Sequence, residues 1–388
     1  MRILYVTTIS DTINAFLVPH ILSLIQQNYQ VGIACHVKEE VHPDLIKSGC
    51  TIHDVPFSRN PFQKENIKAY KKIKSIVETF DYEVVHVHTP VASIVTRFAC
   101  RSMKHIKMLY TAHGFHFYQG APKKNWMLYY TLEKLAAHWT DGIITMNEED
   151  YESAKKFTTR EKDSVYKVSG VGIDLTKFLT PTSMEKQSLR EQYGYSNEDF
   201  ILVSVGELSY RKHQDLLLEA TSLLKSSVKN VKLLLVGDGP LEEQYKQLAT
   251  SLEITSEVAF LGYRKDIKQL MAIADVGVSA SRHEGLPVNV MEAMGTGLPL
   301  VVTDCRGNRD LIEDEVNGLV VKINDPKMYA EAIQRLYESP PLRFQYSEEN
   351  KKKIKDYSIE NVLKEMDEMY GDTLSSLAER RERYAGTS

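Results

Sequence analysis

Short, unbroken apolar runs recur along this chain, and the stretches between them are too long for hairpins and carry helical amphipathicity. In the first half the runs fall at 3–7, 31–35, 84–88, 107–111, 142–146 and 164–168, with amphipathic stretches such as 15–27 and 66–79 between them. The second half restarts the pattern, with runs at 201–205, 231–236, 258–261, 276–280, 300–303 and 319–321 and helical patterning near 214–225, 241–252, 267–272, 289–295 and 328–337. Continuously apolar strands alternating with helices predict a parallel sheet covered on both faces. Two such series in succession predict an α/β protein of two Rossmann-like, doubly wound domains.

A length of 388 residues accommodates two domains. The seam is expected at 170–187, where Gly170, Gly172, Pro181 and polar residues gather. The N-terminal domain is therefore assigned to 1–172 and the C-terminal domain to 173–354. In the tail, Tyr357, Ile359, Val362, Leu363, Met366, Met369 and Tyr370 recur at helical spacing. A helix over 355–388 is expected to cross back and cover a face of the N-terminal domain.

Composition narrows the function. A formal net charge of −4 argues against a nucleic-acid binder. The four cysteines, Cys35, Cys50, Cys100 and Cys305, have the spacing of neither a zinc site nor a disulfide framework. The apolar start 1–6 turns polar too soon for a signal peptide, and no run reaches the roughly 18 to 20 apolar residues that cross a bilayer. A cytoplasmic protein is expected, with attachment to the inner face of the cell membrane left open.

The richest motif is Glu284-Gly285-Leu286-Pro287-Val288-Asn289-Val290-Met291-Glu292, between the predicted strand 276–280 and a helix. It falls at the carboxyl end of a parallel strand, where open α/β sheets bind ligands. A helix opening near Pro287 aims its free N–H groups and positive end at an anion such as a diphosphate. Gly285 permits close backbone approach. Glu284 suits sugar hydroxyls and Glu292 the two hydroxyls of a ribose. A helix end flanked by two solvated glutamates is the competing reading; the strand–glycine–proline–helix context favours a site.

Three further turns follow predicted strands. In Gly206-Glu207-Leu208-Ser209-Tyr210-Arg211-Lys212, Lys212 first and Arg211 second can stabilise negative charge on a leaving diphosphate. Gly237-Asp238-Gly239-Pro240 reads as structural. In Gly262-Tyr263-Arg264, backbone groups can read a base edge while Arg264 stacks or hydrogen-bonds. In the first half, His86 and His88 are assigned to opposite faces of one strand, in packing roles, and His113 to the mouth of a site, after a strand and before Gly114. The chain contains no Asp-x-Asp pair, so neither a metal nor another cofactor is expected.

Together these elements resemble glycosyltransferase family 4, over essentially the whole chain. The resemblance implies the GT-B architecture, with the active site in a central cleft between the two domains, and metal-independent transfer with retention of anomeric configuration. Glu284 then contacts the transferred sugar, Glu292 the ribose, and Gly285, Leu286 and Pro287 the sugar and phosphates, while Lys212 matches the family's phosphate-binding lysine. Two positions depart from the pattern. Glu207 stands where the family has an arginine, and Thr7-Thr8-Ile9-Ser10 replaces a glycine pair. Thr111-Ala112-His113-Gly114-Phe115-His116-Phe117-Tyr118, with Pro56–Arg59 and 170–174, is similar to bacterial capsule and exopolysaccharide enzymes. That similarity implies a UDP-sugar donor, a hexosyl or N-acetylhexosaminyl group transferred, and a saccharide acceptor on undecaprenyl diphosphate. Lys123-Lys124-Asn125-Trp126-Met127-Leu128-Tyr129-Tyr130 either meets an anionic membrane surface or packs its aromatics inward. The rival functions are a two-Rossmann nucleotide-sugar epimerase and a catalytically degenerate sugar-nucleotide-binding partner protein.

Overall fold

The computed structural model describes residues 1–385, with side chains described through 374. The chain forms two compact units, Met1–Gly172 together with the segment from Ile359, and Ile173–Ser358.

The first unit holds a seven-stranded parallel sheet of β1 (Arg2–Ile9), β2 (Gln30–His36), β3 (Thr51–Asp54), β4 (Val84–Val87), β5 (Lys107–Ala112), β6 (Gly142–Thr145) and β7 (Val165–Lys167), in the order β3-β2-β1-β4-β5-β6-β7. The second holds six parallel strands, β8 (Phe200–Val205), β9 (Val231–Val236), β10 (Val258–Phe260), β11 (Val276–Ser279), β12 (Leu300–Thr303) and β13 (Leu319–Val321), in the order β10-β9-β8-β11-β12-β13. The central strands are apolar because both faces are covered: β4, β5, β6, β11 and β12 are buried throughout. In each sheet the strand order reverses once, between β1 and β4 and between β8 and β11. The carboxyl ends of those pairs are the places where doubly wound sheets leave a crevice for ligands.

Two features differ from the sequence expectation. Strand β3 was not foreseen, because Thr51-Ile52-His53-Asp54 is half polar, as an edge strand should be. The expected linker contains the start of a helix, Ser183–Tyr193, whose Thr182 and Glu185 form a reciprocal capping box. Helix Ile359–Ala385 packs on the first unit: Val362, Met366, Met369 and Tyr370 are buried, and Glu365 accepts from the Ser169 backbone and hydroxyl at 2.7 and 2.8 Å.

Candidate active site

In the second unit the predicted motifs converge on the reversal between β8 and β11. Glu284 is 6% exposed, and its carboxylate takes Arg211 Nη1 at 2.5 Å, Lys212 Nζ at 2.8 Å and Ser281 Oγ at 2.6 Å. Burial pushes this carboxyl up, but the Lys212 and Arg211 charges and the bonds from Lys212 and Ser281 outweigh it and hold it down to about 2. Two cations on one carboxylate leave a net positive charge beside a helix N-terminus. Lys212 lies over Gly206: a Cβ there would come within 3.0 Å of its Cε.

Helix Val288–Gly295 begins directly after Pro287, which is its N-cap rather than its first helical residue, and has no side-chain cap. The Val290 and Met291 N–H groups are spent on the Pro287 carbonyl at 3.2 Å each, so those of Val288 and Asn289 are the first-turn donors that an anion can use. Gly285 and Leu286 form the approach to this helix. Glu292 lies on it, half-buried. Burial raises its carboxyl to about 7, and no cation opposes the shift.

The neighbouring turns are laced together. Gly237 N–H donates to the Gly262 carbonyl at 2.8 Å, and Leu208 N–H to Asp238 at 2.8 Å. Gly237 has φ +138°, and a Cβ on it would sit 2.2 Å from the Gly206 carbonyl oxygen, so only glycine fits. Tyr263 is 73% exposed. Arg264 forks onto Asp266 at 2.8 and 2.5 Å, which orients its guanidinium and leaves the planar face for stacking.

Sequence reasoning missed the turn after β12. Arg306, 4% exposed, donates from Nε to the Glu284 carbonyl at 2.7 Å. Gly307 has φ +83°, and a Cβ there would meet the Gly285 oxygen at 2.6 Å. This turn supports the Glu284 loop from behind. It follows a predicted strand, and the strand-end rule applied to every strand would have found it.

In the first unit, His113 joins a buried polar chain. Its Nε2 is 3.1 Å from His88 Nδ1, while His86 bonds Tyr370 at 2.6 Å and Thr111 at 2.7 Å. The assignment of His86 and His88 to opposite faces was wrong: their rings lie 4.3 Å apart, because residues two apart along a strand share a face. Burial first, then repulsion from neighbouring imidazoles, chiefly His20 for His86 and His113 and His86 for His88, lowers all three, His86 to about 3 and His113 to about 4, so all are neutral near pH 7. At the reversal in this sheet, Thr8 N–H and Oγ1 bond Thr89 Oγ1 at 2.9 and 2.8 Å. Thr89 holds φ +39°, a strained conformation for a β-branched residue.

The segment 123–130 divides its apolar groups. Trp126 and Tyr130 turn toward Phe117, each with ring centroids 5.3 Å from it, whereas Met127 is 74% and Leu128 44% exposed beside exposed Lys123 and Lys124. Among the described residues no helix is long and apolar enough to cross a membrane, and no group of three or more His, Cys, Asp or Glu is placed to hold a metal.

Two Rossmann-like sheets, with charged turns at the reversal of the second, form a frame in which doubly wound enzymes bind ligands at strand ends. The family model described as "Glycosyl transferases group 1" matches residues 185–353, and "Glycosyl transferase 4-like" matches 2–147. The chain is 37% identical over 371 residues to the putative glycosyltransferase EpsD of Bacillus subtilis, covering 95% of this chain and 96% of that protein. It is 27% identical over 317 residues to the UDP-Gal:alpha-D-GlcNAc-diphosphoundecaprenol alpha-1,3-galactosyltransferase of Escherichia coli, covering 79% of this chain and 81% of that one. Among solved structures, Anabaena HepE in complex with UDP and glucose matches at 20% identity and TM-score 0.77, over 96% of this chain and 100% of that one. The chain belongs to glycosyltransferase family 4, has the GT-B fold, and is a glycosyltransferase.

Proposed function

We propose that the enzyme moves a hexosyl or N-acetylhexosaminyl group from a UDP-sugar to a saccharide carried on undecaprenyl diphosphate, with retention at the anomeric carbon, in exopolysaccharide or capsule synthesis. The observation that carries this reading is the Arg211–Glu284–Lys212 cluster beside the uncapped helix at Val288. The names of two relatives support the donor and the carrier: the E. coli protein takes UDP-Gal and acts on a diphosphoundecaprenol sugar, and HepE was solved with UDP and glucose.

In this reading the uracil lies by Gly262, Tyr263 and Arg264, and the ribose diol donates to Glu292. Lys212 and Arg211, with the backbone at Gly206 and at Gly285–Leu286–Pro287, meet the diphosphate. As the glycosidic bond to the diphosphate breaks, negative charge grows on its oxygen, and Lys212 stabilises that charge in the transition state. Glu284 orients the sugar hydroxyls once the cations turn toward phosphate. His113, neutral and fixed by His88, offers a hydrogen bond to a hydroxyl of the incoming acceptor. The leaving phosphate accepts the proton of the incoming acceptor hydroxyl. The absence of any Asp-x-Asp pair from the sequence supports a reaction without a metal, with Lys212, Arg211 and the helix end carrying that role. Met127 and Leu128, flanked by Lys123 and Lys124, support contact with an anionic membrane on the cytoplasmic side, where a lipid-linked acceptor is presented.

The test is a thermal-shift screen against nucleoside diphosphates and their sugars, followed by transfer assays with and without chelator. A ligand that binds only the folded state must raise its apparent stability. A selective shift with a UDP-sugar, and transfer that survives chelation, is the expected result. Absence of any shift at millimolar nucleotide sinks the reading.

A further inference from the structure

The pairs that join Arg211 and Lys212 to Glu284 must loosen when a diphosphate arrives, because the same cations then face phosphate. Something else has to hold the loop 210–213 in place during that exchange. Arg282, two residues before Glu284, is built to do so. Its backbone N–H donates to the Arg211 carbonyl at 2.8 Å. Its Nε donates to the Tyr210 carbonyl at 3.1 Å, Nη1 to Asn324 Oδ1 at 2.5 Å, and Nη2 reaches His213 Nδ1 at 2.8 Å. The guanidinium also stacks 4.3 Å from the centre of the Tyr210 ring. Every nitrogen of the fork is engaged, and none of these contacts uses the groups that face the donor.

His213 fixes the other end. It is 5% exposed, with φ +55°, a left-handed position where His and Asn are enriched. Its Nδ1 lies 2.8 Å from Asp215 Oδ1 as well as 2.8 Å from Arg282. The guanidinium only donates, so the Arg282 contact needs a lone pair on Nδ1; the Asp215 carboxylate only accepts, so that contact needs a proton there. One nitrogen serves one of them at a time. Tyr245 OH at 3.4 Å and Arg282 Nη2 at 3.8 Å also face Asp215, so its carboxylate is not stranded when Nδ1 accepts from Arg282.

We infer that Arg282 is a positioning residue that, by donating from Nε to the Tyr210 carbonyl and from Nη2 to His213 Nδ1, holds the Tyr210–His213 loop so that Lys212 and Arg211 meet the leaving diphosphate. This rests on the donor assignment proposed above.

The experiment compares Arg282→Lys, His213→Asn and His213→Gln with wild type in donor kcat and KM, and in calorimetric affinity for UDP and UMP. Lysine keeps the charge but cannot make the fork. Asparagine suits the left-handed backbone and places an acceptor where Nδ1 stood; glutamine moves it to the far end. Misplacement of a catalytic group by about 1 Å can cost about 100-fold. Arg282→Lys and His213→Gln are therefore expected to lose about 10- to 100-fold in kcat with a smaller change in KM, and to narrow the preference for UDP over UMP. His213→Asn is expected to stay within about threefold of wild type on the same scale. Asn324→Ala, which removes only the Nη1 partner, serves if Arg282→Lys does not fold and is expected to show a smaller loss of the same kind. An Arg282→Lys enzyme with normal kcat and normal UDP preference, or His213→Asn and His213→Gln behaving alike, overturns the inference while leaving the donor assignment intact. A wild type that neither binds UDP nor turns over UDP-sugars removes the donor assignment itself.

Discussion

Asn289 donates from its side-chain amide to the Val205 carbonyl at 2.8 Å, tying the first turn of helix Val288–Gly295 to the carboxyl end of β8. The cationic loop that follows β8 and the helix end that follows β11 are thereby fixed to each other. Asn289→Ala is expected to lower stability by about 1 kcal/mol, the worth of one such bond. It should weaken UDP binding further, because the anion then bridges two pieces that are no longer registered. Calorimetry alongside a thermal melt separates the two effects; a melt shift with unchanged UDP affinity would remove Asn289 from the donor site.

Lys212 and Arg211 both pair with Glu284, but Lys212 is the more buried, its side chain 12% exposed against 39%. A charge-stabilising donor in a site shielded from water is worth about 100- to 1,000-fold in kcat. Lys212→Ala is expected to lose that much, and Arg211→Ala less. Steady-state kinetics on the two variants decides it, and near-normal turnover by Lys212→Ala would transfer the role to Arg211.

In the first unit Arg97 is fully buried, with Nη2 2.6 Å from Glu133 Oε2 and its guanidinium 4.1 Å from the Tyr110 ring centre. Removing one member of such a pair strands the other charge, at a cost of about 3–5 kcal/mol, whereas replacing both by apolar groups is often neutral. Glu133→Gln is expected to lower the urea midpoint, and the double variant Arg97→Met/Glu133→Leu to recover most of it. Both tryptophans, Trp126 and Trp139, belong to this unit, so their fluorescence reports its unfolding alone. Equal midpoints for Glu133→Gln and wild type would contradict the prediction.

The fold was legible because burial on both faces makes the central strands continuously apolar, and twelve of the thirteen strands left that mark. Strand β3 lies at an edge and alternates, so its run was too polar to notice. Within the candidate site, the placement of Glu284, Lys212, Gly206 and Glu292 near one another at strand ends was legible because each belongs to a turn or helix that directly follows an apolar run. The pairing of both cations with Glu284 was not, since a sequence shows that charges are present but not which of them meet. Arg306, Arg282 and the side-chain bond of Asn289, a residue of the motif itself, were missed for a related reason. Each acts on a backbone carbonyl of another segment, and a carbonyl has no residue type to match. His86 and His88 share one face because residues two apart along a strand do, a placement that alternation alone makes legible.

Glu292 gives the sharpest handle on pH. Burial raises its folded-state value from 4.5 to about 7 with no partner to offset it. A group whose value is raised by folding contributes most to stability while protonated, below 4.5, and that contribution is lost as pH rises toward 7. Glu292→Gln, which stays neutral, should therefore melt higher than wild type at pH 8 and close to it at pH 4.5. Binding runs the other way. A ribose diol donates to the ionised carboxylate, so nucleotide affinity should rise with pH through about 7. The ionised fraction grows about tenfold between pH 6 and 8 for such a group, which sets the size of the gain. The terminal phosphate of UDP titrates nearby, so the informative quantity is the wild-type change minus that of Glu292→Gln, measured by calorimetry at both pH values. A difference near tenfold places the ribose on Glu292. Parallel pH curves for the two proteins would take the nucleotide away from this residue and leave its raised carboxyl without a ligand.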